Sequence, residues 1–446
     1  MPLPADAATG TLEPTPPRLE GCSPDVAAAL DRCLSGAELD VASSLPLWAA
    51  RGADLDGLLA TADHLRHVQV GDVVTFVVNR NINFTNACVQ ACRFCAFSRH
   101  GGSAELYFLP ESEVVRRAVE ARTLGATEVC IQAGLAPGVD AALYPRLLRA
   151  VHEAAPGLHQ HAFSPEEVRF SADLAGRDIP DWLAELKDAG VGSLPGTSAE
   201  ILDDEVRRRI APGRISTSDW VRVIESAHGL GIPTTCTMMY GHVEDALHRS
   251  RHLELLRSIQ RHTGGFTEFV PLSFVFQEAP MTLRGKMAGL RAGPDEAEVL
   301  ATHAIARLML GRDIPNLQVS WVKEGLARCA RLLRCGANDL GGTLMNESIS
   351  TAAGASHGEF QPPSALRQVA RMAGRPAAER TTLYRRVADE GPESTDLAHP
   401  LDALATDSSR LGSYRALLDE HRFPYTPPRS SGSSTSQPKV SSTRSA

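Results

Sequence analysis

The chain has 446 residues, of which 43% are hydrophobic and 22% charged, and a formal net charge of −8. These are values of an ordinary globular protein; the absence of a basic stripe argues against nucleic acid as a partner, and no run approaches the ~18 consecutive apolar residues of a membrane span. The start, MPLPADAATG, lacks the charged and apolar regions of a secretory signal. Nine cysteines, an odd number in a long chain, do not read as a disulfide framework, so a reducing cytoplasm is the expected location.

In chain order, residues 1–22 are rich in Pro and Ala and are expected to be disordered. Residues 23–71 carry short amphipathic helical patterns (VAAALDRCLSG, ELDVASSLPLWAARG, DLDGLLATADHLRHVQVG) separated by Gly and Pro. Over residues 72–345, short β-rich runs alternate with longer helical ones. The strand candidates are Val73–Ile82, Glu128–Leu135, Leu158–Ser164, Val191–Gly196, Pro233–Tyr240, Thr267–Phe274, Leu317–Trp321 and Gly336–Gly341. Between them lie helical patterns such as ESEVVRRAVEARTLGA and TSDWVRVIESAHGLG. Strand–helix alternation argues for a parallel sheet. Eight repeats with polar residues gathered at the strand ends argue for an α/β fold of the (β/α)8 TIM-type barrel class rather than an open doubly wound sheet. N-terminal helices precede the barrel. A helical extension follows over residues 346–390, and residues 391–446 drift into Ser, Pro, Thr and Gly and read as a mostly disordered tail.

The loop after the first strand, NINFTNACVQACRFCAFSRH, holds Cys88, Cys92 and Cys95. Three thiolates can hold three irons of a 4Fe–4S cluster and leave the fourth open to the amino and carboxylate groups of S-adenosylmethionine (SAM). Structural zinc usually takes four ligands, often as two C-x-x-C pairs, and a ferredoxin-type cluster takes four thiolates. The other six cysteines are scattered. Buried inert thiols are common in cores, but not at this spacing in an Asn-rich loop. The spacing, and Phe94 before the last cysteine, resemble the radical-SAM superfamily.

Other strand ends carry further candidates. Gln132-Ala133-Gly134 ends the second strand, where radical-SAM enzymes usually have a Gly-rich turn that receives the SAM amine; an ordinary strand-end turn reads the same way. His159 and His161 alternate on the third strand and share a face, though satisfied core histidines do the same. Ser164 and Glu166 offer a hydroxyl and a carboxylate to SAM, while Ser164-Pro165 is also a helix start. Glu200, Asp204, Glu205, Arg207 and Arg208 read as a solvated helix face. Tyr240, His242 and Glu244 bring a phenol, an imidazole and a carboxylate to the fifth strand end. Met238 and Met239 read as apolar bulk. Ser320, Trp321, Val322 and Lys323 follow on the seventh strand. Asn338 and Asp339 on the eighth pair donor and acceptor groups for a heterocycle edge or a polyol; a phosphate loop is the rival there, but no Lys-bearing glycine motif follows.

NFTNACVQACRFCAF, HAFSPEE, LPGTSAEILDDEVRRRI, GIPTTCTMMYGHVE, TGGFTEFVPL and GANDLGGTLMNESIS together resemble the family of tyrosine-condensing FO synthase subunits, over roughly Asp72 to Arg385. The ISTSDWVRVIESAHGLGIPTT stretch and the GANDLGGT end favour this branch over its relatives in menaquinone biosynthesis by the futalosine route. The resemblance implies a 4Fe–4S cluster and SAM as cofactors, and a 5′-deoxyadenosyl radical that takes a hydrogen from the amino group of L-tyrosine. Cα–Cβ cleavage then releases 2-iminoacetate, and the p-hydroxybenzyl fragment joins 5-amino-6-(D-ribitylamino)uracil at C5. A single cysteine motif implies one step of two, hence a separate ring-closing radical-SAM partner, and an electron donor of flavodoxin or ferredoxin type.

The implied roles are Cys88, Cys92 and Cys95 on iron, and Gln132, Gly134, Ser164 and Glu166 on SAM. Tyr240, His242, Glu244 and His161 take catalytic positions, and Asn338, Asp339 and Trp321 hold the ribityluracil. The chain departs from the family pattern at Ala133, Ala136 and Phe276, where that family usually has Gly, His and His. Two alternatives follow: a paralogue with a different acceptor, or an iron–sulfur electron-transfer protein whose fully ligated cluster ignores SAM. A barrel enzyme with a zinc site is a third.

Overall fold

The computed structural model describes residues 15–387, 399–405 and 408–425. Seven strands form a closed ring with two short bridged segments: β1 (Val74–Val77), β2 (Asn79–Ile82), β3 (Glu128–Ile131), β4 (His159–Ala162), β5 (Thr234–Tyr240), β6 (Phe266–Ser273) and β7 (Asp339–Gly342). β1 and β2 are one run interrupted at Val78. β2 pairs with β3, β3 with β4, β5 with β6, and β1 with β7, all parallel. Bridges His161↔Ser193 and Leu194↔Thr234 insert a strand position between β4 and β5. Phe269↔Leu317 and Gln318↔Asp339 insert another between β6 and β7. The result is eight parallel positions around a (β/α)8 barrel, at the places where the hydrophobic alternation put them. Positions four and seven pair so briefly because Pro195 and Pro315 sit beside them and cannot donate to a ladder.

The crossovers are helical because each has a start and an apolar stripe. Pro165–Ala175 begins with a capping box: the Ser164 hydroxyl accepts from Glu167 N and the Glu167 carboxylate accepts from Ser164 N. Asp178, Asp203, Ser216 and Asp295 cap four other helices. In Thr217–Gly229 the stripe Trp220, Val223, Ile224 and Ala227 is fully buried against the barrel. The N-terminal helix Ala53–Val70 packs along Glu296–Leu310, the crossover between β6 and the bridged segment at Leu317–Gln318.

The C-terminal region differs from its expectation in two ways. The segment read as a helical extension contains a helix, Pro363–Met372, and also β8 (Ala377–Arg380), which pairs in parallel with β1 on the side opposite β7. Arg380 secures it: the guanidinium donates to both carboxylate oxygens of Asp339 at 2.5 and 2.8 Å and to Glu268 at 3.0 Å. The other difference lies in the stretch read as tail. Within it, Pro400–Leu404 and Ser408–Leu411 form 3-10 turns and Tyr414–Asp419 a short helix. Leu401, Leu404, Leu411 and Tyr414 are buried, so this part holds enough apolar surface to fold back, which the overall Ser/Pro drift conceals. It ends against the cysteine loop: Phe108 N donates to Phe423 O, and the Tyr425 ring stacks on Phe108 at 5.6 Å. Of the two stretches expected to be disordered, 1–22 and 391–446, residues 1–14, 391–398, 406–407 and 426–446 lie outside the described residues.

Candidate active site

A cavity of about 240 Å³ opens at the C-terminal ends of the strands, the end at which barrel enzymes build their sites. Cys88, Cys92 and Cys95 line it from the loop after β2. The loop is held by its own backbone and neighbours: Cys95 N donates to Cys92 O, Arg93 N to Ile210 O, and Cys88 N to Arg99 O. Leu135 N donates to the Cys88 sulfur at 3.4 Å, a contact that stabilises a thiolate there. Gly134 packs so closely that a Cβ would lie 2.3 Å from Ala87 O, so any side chain would displace the cysteine loop.

Burial pushes Cys92 up to about 12 and Cys88 above the usual thiol range, and each thiol's cysteine neighbours add to the rise. Cys88 and Cys92 therefore resist ionisation unless a positive centre joins them. Among the described residues no three His, Cys, Asp or Glu side chains converge on a point one ion would occupy. Ligands to separate irons of a cubane need not converge, so three thiols on one loop at one cavity fit the donor set of a cluster.

Beyond the thiols, Gln132, Gly134, Ser164 and Glu166 line the same cavity. The Gln132 amide donates to Thr197 Oγ1 at 2.5 Å and its backbone oxygen accepts from Asn83. The Glu166 carboxylate accepts from Arg169 at 2.7 Å, Ile215 N at 2.7 Å and Arg214 at 3.3 Å. Burial pushes this carboxyl up, but Arg214 and those hydrogen bonds outweigh it and hold it below its ordinary value. Ser164 Oγ donates to Glu167 at 2.6 Å, and Ala133 N donates to the other oxygen at 2.9 Å. Burial still pushes Glu167 up to about 7.

Several residues of this cavity carried no signal in the sequence. Arg214 lies in the loop APGRIS, outside any motif. It donates to Glu200 at 2.8 Å, stands 5.6 Å over the Phe94 ring, and its charge acts to lower the Cys88 and Cys92 thiols against their burial. Glu200, read as a solvated helix residue, is instead nearly enclosed, at a left-handed φ of 42°. Thr197, Ser198, Lys323 and Ser350 complete the polar lining.

The remaining candidates are not among the residues that line this cavity. Tyr240 is fully buried; its hydroxyl lies 3.0 Å from Ser273 Oγ, which also bonds Glu324, so it meets the cavity wall only through Ser273. His242 and Glu244 close their own turn: Val243 N donates to His242 Nδ1, while Gly241 N, His242 N and Arg291 donate to Glu244. His161 and His159 both bond Ser193 Oγ, and burial lowers His161 to about 4. Asn338 accepts from Arg307 and Leu317 N. Asp339 is taken up by Arg380, Thr75 and Gly341 N, and Trp321 Nε1 donates to Gly342 O. These strand-end groups are polar because they satisfy backbone and each other. Of the family departures, Ala133 lines the cavity, Ala136 is buried beside Ala87 and Leu106, and Phe276 lines a neighbouring chamber.

Residues 82–256 match the Radical SAM superfamily, and residues 263–390 match the CofH/MqnC C-terminal region. The chain is 50% identical over 331 residues to the 5-amino-6-(D-ribitylamino)uracil–L-tyrosine 4-hydroxyphenyl transferase of Methanocaldococcus jannaschii, covering 74% of this chain and 91% of that one. It is 51% identical over 343 residues to an FO synthase of Nocardia farcinica and 50% identical over 347 residues to one of Streptomyces coelicolor. These alignments cover 77% and 78% of this chain but 39% and 40% of the synthases, so the chain spans about two fifths of their length. Among solved structures, methylornithine synthase (PylB) aligns with a TM-score of 0.57 at 17% identity, over 90% of this chain and 98% of that one. The [FeFe]-hydrogenase maturase HydG aligns with a TM-score of 0.62 at 12% identity, over 87% and 82%. At those identities the likeness is one of fold.

Proposed function

The chain belongs to the radical SAM superfamily, in the family of the M. jannaschii transferase, and we propose that it cleaves L-tyrosine and joins the p-hydroxybenzyl fragment to 5-amino-6-(D-ribitylamino)uracil, a step toward FO and coenzyme F420. The observation that carries the reading is the shared cavity: Cys88, Cys92 and Cys95 line it together with Gln132, Gly134, Ser164 and Glu166. Radical-SAM enzymes use a 4Fe–4S cluster and SAM, which supply a 5′-deoxyadenosyl radical when bound.

In this reading the three cysteines hold the cluster. Arg214, buried beside Cys92 and Cys95, balances thiolate charge and offers a guanidinium to a carboxylate. The Gln132–Gly134 turn and Ser164 meet the amino acid end of SAM. Glu166, already held by two arginines and a backbone N–H, orients Arg214 rather than titrating. Leu272, Phe274, Val275 and Met239 exclude water from the far wall, which protects a carbon radical from stray hydrogen donors. An electron donor and a separate ring-closing enzyme complete the reaction sequence. No described helix is long and apolar enough to cross a membrane, which fits a cytoplasmic enzyme.

The test is anaerobic turnover of cluster-reconstituted protein with SAM, dithionite, L-tyrosine and the ribityluracil, read by mass spectrometry. Deoxyadenosine with a p-hydroxybenzyl–uracil adduct is expected, and alanine at any of the three cysteines abolishes both. Deoxyadenosine without adduct overturns the substrate assignment; turnover by a cysteine variant overturns the cluster assignment.

A further inference from the structure

Ser273, Phe274, Val275 and Lys323 form a wall with two sides. One side faces the cavity of the cysteines, and the other lines a second chamber of about 150 Å³. The second chamber is open to solvent between the loop after β6, the stretch Ala292–Pro294 and the loop Gly354–His357. A molecule seated there can enter without passing the cluster, yet it abuts whatever occupies the first cavity.

The lining has a definite chemistry. Phe276, half-buried, offers an aromatic side chain. Gln277, Ser356 and His357 add exposed donors and acceptors around it. The charged groups are already matched: Arg328 donates to Glu324 at 2.8 Å and pairs with Glu296 at 2.8 Å, and Glu324 also accepts from Ser273. No unpaired guanidinium invites a phosphate. Lys323, at the junction, has one hydrogen-bond partner among the described residues, Ser350 Oγ at 3.3 Å, although an ammonium carries three donors. Burial lowers its pKa, against Glu347 and Glu324, as expected of a cation short of partners. By contrast, Asn338, Asp339 and Trp321, the groups expected to hold a heterocycle, are spent on protein partners.

We propose that this second chamber is the acceptor site, taking an uncharged pyrimidinedione with a hydroxylated side chain, stacked on Phe276 and meeting the donor at Lys323. The inference rests on the transferase reading for the identity of the acceptor. It makes Phe276, where the family usually has histidine, a determinant of acceptor choice in this chain. Gly325 keeps His357 at the chamber: at φ 72° it breaks the helix that carries Lys323 and Arg328, and a Cβ there would lie 2.8 Å from the His357 ring.

The test is anaerobic equilibrium dialysis of 5-amino-6-(D-ribitylamino)uracil against cluster-reconstituted wild type, Phe276→Ala and Ser356→Trp. Iron content and melting temperature report whether each variant keeps its fold. Ser356 lies on an exposed loop, so its tryptophan fills the chamber without entering the core. Both variants are expected to raise the dissociation constant at least about tenfold. Wild-type affinity in both folded variants overturns the proposal, as does absence of binding to the wild type. The transferase reading fails on a different result, namely wild type that makes deoxyadenosine but no adduct.

Discussion

Gly134 and Glu167 show how single residues set the cysteine loop. The Gly134 backbone touches Ala87 O, one residue before Cys88. Gly134→Ala is expected to cost about 1–3 kcal/mol through overpacking and to lower iron per chain after reconstitution; unchanged iron content would show that the loop yields. Glu167 ties Ala133 of the turn to Ser164 of the next strand end. Burial raises its folded pKa to about 7, above the ordinary carboxyl value of 4.5. For a carboxyl raised in the folded state, stability is greatest below the unfolded pKa and is lost as pH rises through the folded one. Wild type should therefore lose stability relative to Glu167→Gln between about pH 4.5 and 7, by at most about 3 kcal/mol at 1.36 kcal/mol per unit. Denaturant titrations of both proteins across that range measure it, and parallel curves would refute it.

Among the elements, β8 carries the most information about how the chain closes. It brings Arg380, 3% exposed, between Asp339 and Glu268 at the base of the barrel. Burial lowers this guanidinium, but Asp339, Tyr384 and Glu268 more than reverse it and hold it well above its ordinary value. Arg380→Met leaves two buried carboxylates without their cation, which should cost about 3–5 kcal/mol; a midpoint shift in urea with unchanged slope is the expected result. β8 was hidden in the sequence because AAER is four residues long with one buried position, too short for alternation to register. Seven of the eight barrel positions were legible because they combine β-branched or aromatic residues with a flanking helix pattern, as in TTCTMMY of β5 between two capped helices, whereas GANDLG of the eighth was read from its place in the alternation.

At the scale of the whole molecule, the core is expected to stand without the iron–sulfur cluster. Val74, Phe76, Leu194, Trp220, Phe269 and Ile305 are buried within a single continuous apolar cluster. Removing iron with an anaerobic chelator should abolish deoxyadenosine formation and lower the melting temperature by mass action, while far-UV circular dichroism stays native. Loss of helical signal on chelation would instead make the cluster a folding element. The C-terminal residues 408–425 add a further layer: Tyr414 packs on Phe97, two residues beyond Cys95, and Tyr425 on Phe108, so the chain's late residues cover the outer side of the loop that its early residues form.

The sequence by itself determined the barrel and the chemistry of the cysteine loop. Both are local signals: hydrophobic period within a dozen residues, and thiol spacing within eight. Tertiary structure alone decided which polar strand-end groups face an open space. Tyr240, His242 and Asp339 have the composition of catalytic residues, yet each side chain is bonded to a partner between one and 41 positions away. Arg214, Glu200 and Lys323 look like ordinary surface charges and stand around the cavities instead. The physical reason is that a polar side chain buried at a strand end must find a partner, and whether that partner is protein or ligand depends on packing between segments far apart in the chain, which no local pattern encodes.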